Sequence, residues 1–172
     1  MRIKTLALLC FLLSFSGCKK APEETVNEHV EQNKTHDITE QDVKKIKYID
    51  YILDSKTEDA IKDWQEYKQL ETLVANIKKA DLTYFTEDKK VLLLLLRELK
   101  QNLPDALKAE SINSRILVME TQLLKLESLY SLSTTSKAEL IAGIKEFLIA
   151  FSNLNFQMNK KVEFDSRVIE KP

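Results

Sequence analysis

Cysteine, glycine, proline and histidine are all scarce in this chain of 172 residues, which has two Cys, two Gly, three Pro and two His. Their placement excludes more than their number does. Both histidines, His29 and His36, precede Glu40, and both cysteines, Cys10 and Cys18, lie earlier still. From Glu40 onward no Cys or His metal site can be assembled, and no Cys–His or Ser–His nucleophile pair either. A carboxylate-bridged di-iron bundle needs Glu-x-x-His on two helices and fails for the same want of histidine. The Ser-x-x-Lys spacing of many Ser–Lys dyads does not occur after Glu40. Phosphate-cradling loops draw on several glycines, and beyond Gly17 the chain has only Gly143. Charge of one sign is lacking too. With 26 basic and 27 acidic side chains the net charge is −1, far from the clustered positive footprint that nucleic acid requires. These absences point to a non-enzymatic protein with no cofactor, no metal and no nucleic-acid partner.

Long hydrophobic runs are also missing. The longest continuous apolar stretch near the start, Leu6–Leu13 with Phe15 just beyond, falls well short of the roughly 20 residues a helix needs to cross a bilayer. It follows a basic start, Met1-Arg2-Ile3-Lys4, and ends in the small residues Ser16 and Gly17 before Cys18. Basic start, short apolar middle and small residues at the end are the layout of an export signal. The residues Phe15-Ser16-Gly17-Cys18 resemble the lipobox of bacterial lipoproteins. That resemblance implies diacylglycerol on the sulfur of Cys18, cleavage between Gly17 and Cys18, and a mature chain that begins at the lipidated cysteine. Loss of residues 1–17 would remove Arg2 and Lys4 from the 26 basic side chains and none of the 27 acids, for a net charge near −3. No free thiol would remain, so the domain is expected to fold without disulfides, by core packing alone. The resemblance places the protein at a bacterial membrane. Lys19 follows the cysteine where Asp marks inner-membrane retention in some bacteria, so the outer membrane is favoured. The face of that membrane stays open.

Residues 18–39, the lipidated cysteine and a polar, charged stretch with few large apolar groups, cannot bury enough surface to offset their ordering entropy. They are expected to be a flexible tether with a root-mean-square reach of roughly 25 Å. From Glu40 to Pro172 the residues Leu, Lys, Glu and Ala dominate, all good helix formers. Over 40–54, Val43, Ile46, Ile49 and Leu53 fit a helical face, while the β-branched and tyrosine content of "KYIDYIL" fits a strand, and both remain open. Ser55 and Glu58 fit a capping box ahead of one helix with the stripe Ile61, Trp64, Tyr67, Leu70, Val74 and Ile77. A loop at Asp81–Phe85 follows. Thr86 is then expected to cap a helix whose start is favoured by the negative charge of Glu87 and Asp88. Its run Val91–Leu96 is apolar all round, which predicts burial on several sides and a central place in the bundle. Pro104 ends that helix. Two heptad seams come last, Ile112, Ile116, Met119, Leu123, Leu126, Tyr130 and Leu140, Ile144, Phe147, Phe151, Leu154, Met158. Ser136 and Glu139 make a second capping box between them. The spacing predicts an antiparallel hairpin packed knobs into holes. The expected fold is an all-α antiparallel bundle of about four helices following a disordered tether.

The candidate contact residues are few. Leu148, Ser152, Asn155 and Asn159 share a second face beside the last seam. Ser152, Asn155 and Asn159 would serve there either as a polar groove for a partner or as amides that fix packing register. Trp64, Tyr84 and Phe85 are the candidate aromatic contacts, since aromatics are enriched at binding hot spots; otherwise they close one end of the core. The functional expectation is a lipid-anchored envelope protein whose helical domain binds or scaffolds a protein partner. The alternative is a carrier of a small hydrophobic ligand or lipid, in a cavity lined by Leu92–Leu96, Phe147 and Phe151.

Overall fold

The two heptad seams organise the fold. The structure, a computed structural model, describes residues 38–86 and 89–167. Among them are six α-helices and no strand: α1 (Glu40–Lys44), α2 (Ser55–Ala60), α3 (Gln65–Lys78), α4 (Lys89–Gln101), α5 (Glu110–Ser131) and α6 (Lys137–Asp165). Two short 3-10 turns, Thr83–Thr86 and Asp105–Leu107, flank α4. The class is all-α, as the patterning indicates.

Helices α5 and α6 form the expected hairpin. Ile112, Ile116, Met119, Leu123 and Leu126 of α5 are buried in one core with Leu140, Ile144, Phe147, Phe151, Leu154 and Met158 of α6. The chain reverses through the capping box. The Ser136 hydroxyl accepts from the Glu139 amide at 3.3 Å, and the Glu139 carboxylate accepts from the Ser136 amide at 2.8 Å. Gly143 sits where the two helices come close: a Cβ there would stand 2.8 Å from Leu129 Cδ1.

The remaining helices depart from the sequence expectations in ways that local chemistry explains. The helix expected from Ser55 is two helices, broken over residues 61–64, where Ile61 and Trp64 are both buried. Its cap is Asp54, whose Oδ1 accepts from the Thr57 amide at 2.8 Å, and Ser55 is the first helical residue. The end of α3 is a Schellman motif without glycine: the Asp81 amide reaches the Asn76 carbonyl and the Ala80 amide the Ile77 carbonyl. Ala80 consequently holds a φ of 62°, a left-handed conformation usually taken by glycine at this position.

Helix α4 is not the central helix. It buries Leu92, Leu95, Leu96 and Leu99, whereas Val91, Leu93 and Leu94 face outward. A 3.6-residue period delivers one face to a core however apolar the rest of the helix is. Lys89 to Glu127 at 2.6 Å and Lys100 to Glu120 at 2.7 Å pin it antiparallel to α5. The Thr86 hydroxyl donates to the Thr83 carbonyl at 2.6 Å; Glu87 and Asp88, and with them the expected cap of α4, lie outside the described residues. Pro104 stands beyond the end of α4 and opens the second 3-10 turn.

The largest departure is the segment between α1 and α2. Only Glu40–Lys44 is helical, and residues 46–54 run extended without pairing to any strand. Neither alternative left open for residues 40–54 describes it. Ahead of it, Ile38 packs half-buried on the core, and the Thr39 hydroxyl caps α1 by accepting from the Asp42 amide. The packed region thus begins just ahead of Glu40.

A candidate interaction site: a strap held by a polar stripe

The extended segment lies along α6 like a peptide in a groove, and the polar stripe Ser152, Asn155, Asn159 holds it. The Ser152 hydroxyl accepts from the Tyr51 amide at 2.8 Å and donates to the Ile49 carbonyl at 2.6 Å. Asn155 Nδ2 donates to the Tyr51 carbonyl at 3.0 Å. Asn159 Nδ2 donates to the Ile52 carbonyl at 2.8 Å, and its Oδ1 accepts from the Asp54 amide at 3.1 Å. Helical spacing stacks these three side chains on one face. Together they give an extended backbone partners that a neighbouring strand would otherwise supply.

Side chains of the strap anchor it on both flanks. The Tyr51 ring meets Phe156 of α6 with centroids 4.7 Å apart. Across the groove, Lys78 of α3 donates to Asp50 at 2.6 Å. Burial works against the Lys78 charge, but Asp50 and Tyr48 together more than offset it and the lysine titrates above its ordinary value. Beneath the strap, Asn155 Oδ1 accepts from the Tyr67 hydroxyl at 2.7 Å, a fully buried bond. Burial, with Glu71 adding to it, pushes that hydroxyl far above its ordinary value, so Tyr67 stays a neutral donor. Its ring stacks between Trp64 at 5.3 Å and Phe151 at 6.0 Å.

The six candidate contact residues therefore divide. Ser152, Asn155 and Asn159 come together, with their hydrogen bonds directed to the chain's own backbone. Trp64 is in the core, its ring stacked on Tyr67, whose hydroxyl bonds Asn155. Phe85 is buried against Tyr130 at 5.8 Å, with Tyr84 half-buried and edge-on to it, at a separate place. Gly17 and Cys18 lie outside the described residues. Of the side chains named for a carrier cavity, Leu92, Leu96, Phe147 and Phe151 belong to the packed core, and Leu93 and Leu94 face away from it.

Sequence reasoning missed the strap itself, which leaves Ile49 69 % and Ile52 78 % exposed. The available signal was a polar stripe beside an apolar seam, together with an extended-type run that had no strand to pair with. Among the described residues, no group of three His, Cys, Asp or Glu could hold a metal ion, and no helix is long and apolar enough to cross a membrane. The Asp81 carboxylate accepts from the Thr83 amide and hydroxyl, which hold it below its ordinary value as a turn-capping group. Comparison with protein-family models, with curated proteins and with solved structures gives no match.

Proposed function

We propose that this chain is a lipid-anchored protein of the bacterial envelope, held through acylated Cys18, with the outer membrane favoured. Its helical domain acts as a non-enzymatic interaction module that binds or scaffolds another envelope protein. The observation that carries the reading is Phe15-Ser16-Gly17-Cys18 at the end of a short apolar run behind a basic start. The interaction role draws support from the strap, which presents Ile52, 78 % exposed, to solvent instead of to the core. Lipidation holds the module at the membrane: each buried CH₂ contributes about 0.8 kcal/mol, so two or more chains anchor a protein durably.

Intact mass of the protein extracted from membranes tests the anchor. A chain starting at Cys18 with added lipid mass is expected, and Cys18→Ser should release it; an intact Met1 overturns the anchor. In-cell cross-linking of the lipidated protein, followed by mass spectrometry, tests the module. One reproducible envelope protein is expected, and its absence in a membrane-held chain overturns the interaction role.

A further inference from the structure

Outside the strap's hydrogen bonds, one face of the domain combines free positive charge with exposed apolar side chains. Ile141, Lys145, Ile149, Phe156 and Lys160 run down the outer side of α6 at helical spacing. The strap lies along the same helix: Ser152 holds the Tyr51 amide and the Ile49 carbonyl, and the Tyr51 ring meets Phe156. At the α1 end, Lys45, Lys47 and Lys145 line a solvent-open hollow of about 450 Å³ together with Asp42, Ile46 and Ile141. These three lysines make no ion pair with any described residue. The acids that border the face are already engaged: Asp42 by Lys137 at 2.7 Å, Asp50 by Lys78 at 2.6 Å and Glu163 by Lys160 at 2.7 Å. Beyond the lysines, Ile49 is 69 % exposed and Ile149 and Phe156 are each 37 % exposed. Lys160 stands 5.8 Å over the Phe156 ring. In a chain of net charge −1, this is a local excess of positive charge beside protruding apolar groups.

We infer that this face is a docking surface for an anionic lipid bilayer, which the anchored domain lies against. The inference rests on the proposed acylation of Cys18. Two observations select a bilayer as the occupant. Unpaired ammonium groups beside exposed isoleucine and phenylalanine match anionic headgroups above an acyl layer. The chain also enters the domain at Ile38 and Thr39, at the head of α1, where Thr39 bonds Asp42 of the lysine hollow, and Cys18 lies only 20 residues before Ile38 in the sequence. An anchor so near in sequence would bring this end of the domain to the membrane.

The mature sequence after Cys18 has no cysteine, so single labels can be placed cleanly. The lipidated protein, its Cys18 mass confirmed, is reconstituted in vesicles of phosphatidylglycerol and phosphatidylethanolamine, or of phosphatidylcholine alone. An environment-sensitive dye is placed at Ile49→Cys, at Phe156→Cys, or at Ser128→Cys, an exposed position on α5. Dyes at 49 and 156 are expected to shift to the blue in the anionic vesicles only. The shift should be lost in about 0.5 M salt, where charge is screened within a few Å, and in the triple variant K45E/K47E/K145E. The dye at 128 should report water throughout. Equal signals in both vesicle types, a shift that survives charge reversal, or a matching shift at 128 overturns the inference. A shift without vesicles that grows with protein concentration assigns the face to a second copy and also overturns it. Lipid on Cys18 with no dye shift removes this inference alone; no lipid on Cys18 removes the anchoring reading and this inference with it.

Discussion

Asn155→Leu should cost far more than the loss of one polar side chain. The replacement has as many side-chain heavy atoms in the same branched arrangement, so it opens no cavity. Asn155 is 4 % exposed; it accepts from the Tyr67 hydroxyl at 2.7 Å and donates to the Tyr51 carbonyl at 3.0 Å. Each bond contributes about 1 kcal/mol net, and a buried donor left without a partner costs about 1–3 kcal/mol. Tyr67 is itself 1 % exposed, so the expected loss is about 2–4 kcal/mol. Tyr67→Phe in the Asn155→Leu background removes the stranded hydroxyl and should recover about 1–2 kcal/mol. Urea unfolding followed by far-UV circular dichroism reads both, with the dependence on urea unchanged. A loss below about 1 kcal/mol, or two variants whose costs simply add, would refute the coupling of strap, stripe and core described above.

Other expectations follow from the same geometry. Ala80→Gly relieves the left-handed φ of 62° and should raise stability by about 0.5–1 kcal/mol, read as a higher urea midpoint. Ser136→Ala removes the cap of α6 and should cost about 1 kcal/mol in the same assay. Gly143→Leu crowds Leu129 Cδ1, which a bare Cβ would already meet at 2.8 Å, and should cost about 1–3 kcal/mol. The Glu71 carboxyl is raised above its ordinary 4.5 by burial first and by Glu58 second. An acid raised on folding weakens the fold once it ionises, so its contribution falls as pH rises through the window above 4.5. Glu71→Gln should therefore be more stable than the parent at neutral pH, and a midpoint that falls with rising pH just as in the parent would count against it. Asp42 is shifted the other way, by hydrogen bonds from Lys137 and Thr39; what it contributes is lost as pH falls below its ordinary 3.8.

Helices α5 and α6 were legible because a heptad seam is a local record of burial: each of the six α6 seam positions is buried. Their junction was legible because a capping box needs only residues three apart. The strap was not legible, because its partners are distant in sequence and contact its backbone. Recognition of a main chain leaves no periodic mark on the residues recognised. Val43 and Ile46 pack while Ile49 stands in water, so a pattern that looked like one helical face crosses the end of α1 and ceases to mean anything. The outward side of α4 misled for the opposite reason: Leu93 and Leu94 are as apolar as the leucines beside them, and composition cannot tell a buried leucine from an exposed one. The stripe on α6 was visible as a row of amides, but its occupant was not.

The distance between the strap and its holders also sets an order of assembly. Ser152 lies 101 positions beyond Tyr51, and Asn159 lies 107 beyond Ile52. A ribosome adding about 5–20 residues per second needs about 5–20 s to cover that interval. Closing a loop of this length costs about 4 kcal/mol in chain entropy, whereas the α5–α6 hairpin closes through a short turn. The last helix must therefore be made before Ser152, Asn155 and Asn159 can hold the strap. A deletion that removes the end of α6 should first be felt near the opposite terminus, as exposure of residues 46–54 to protease.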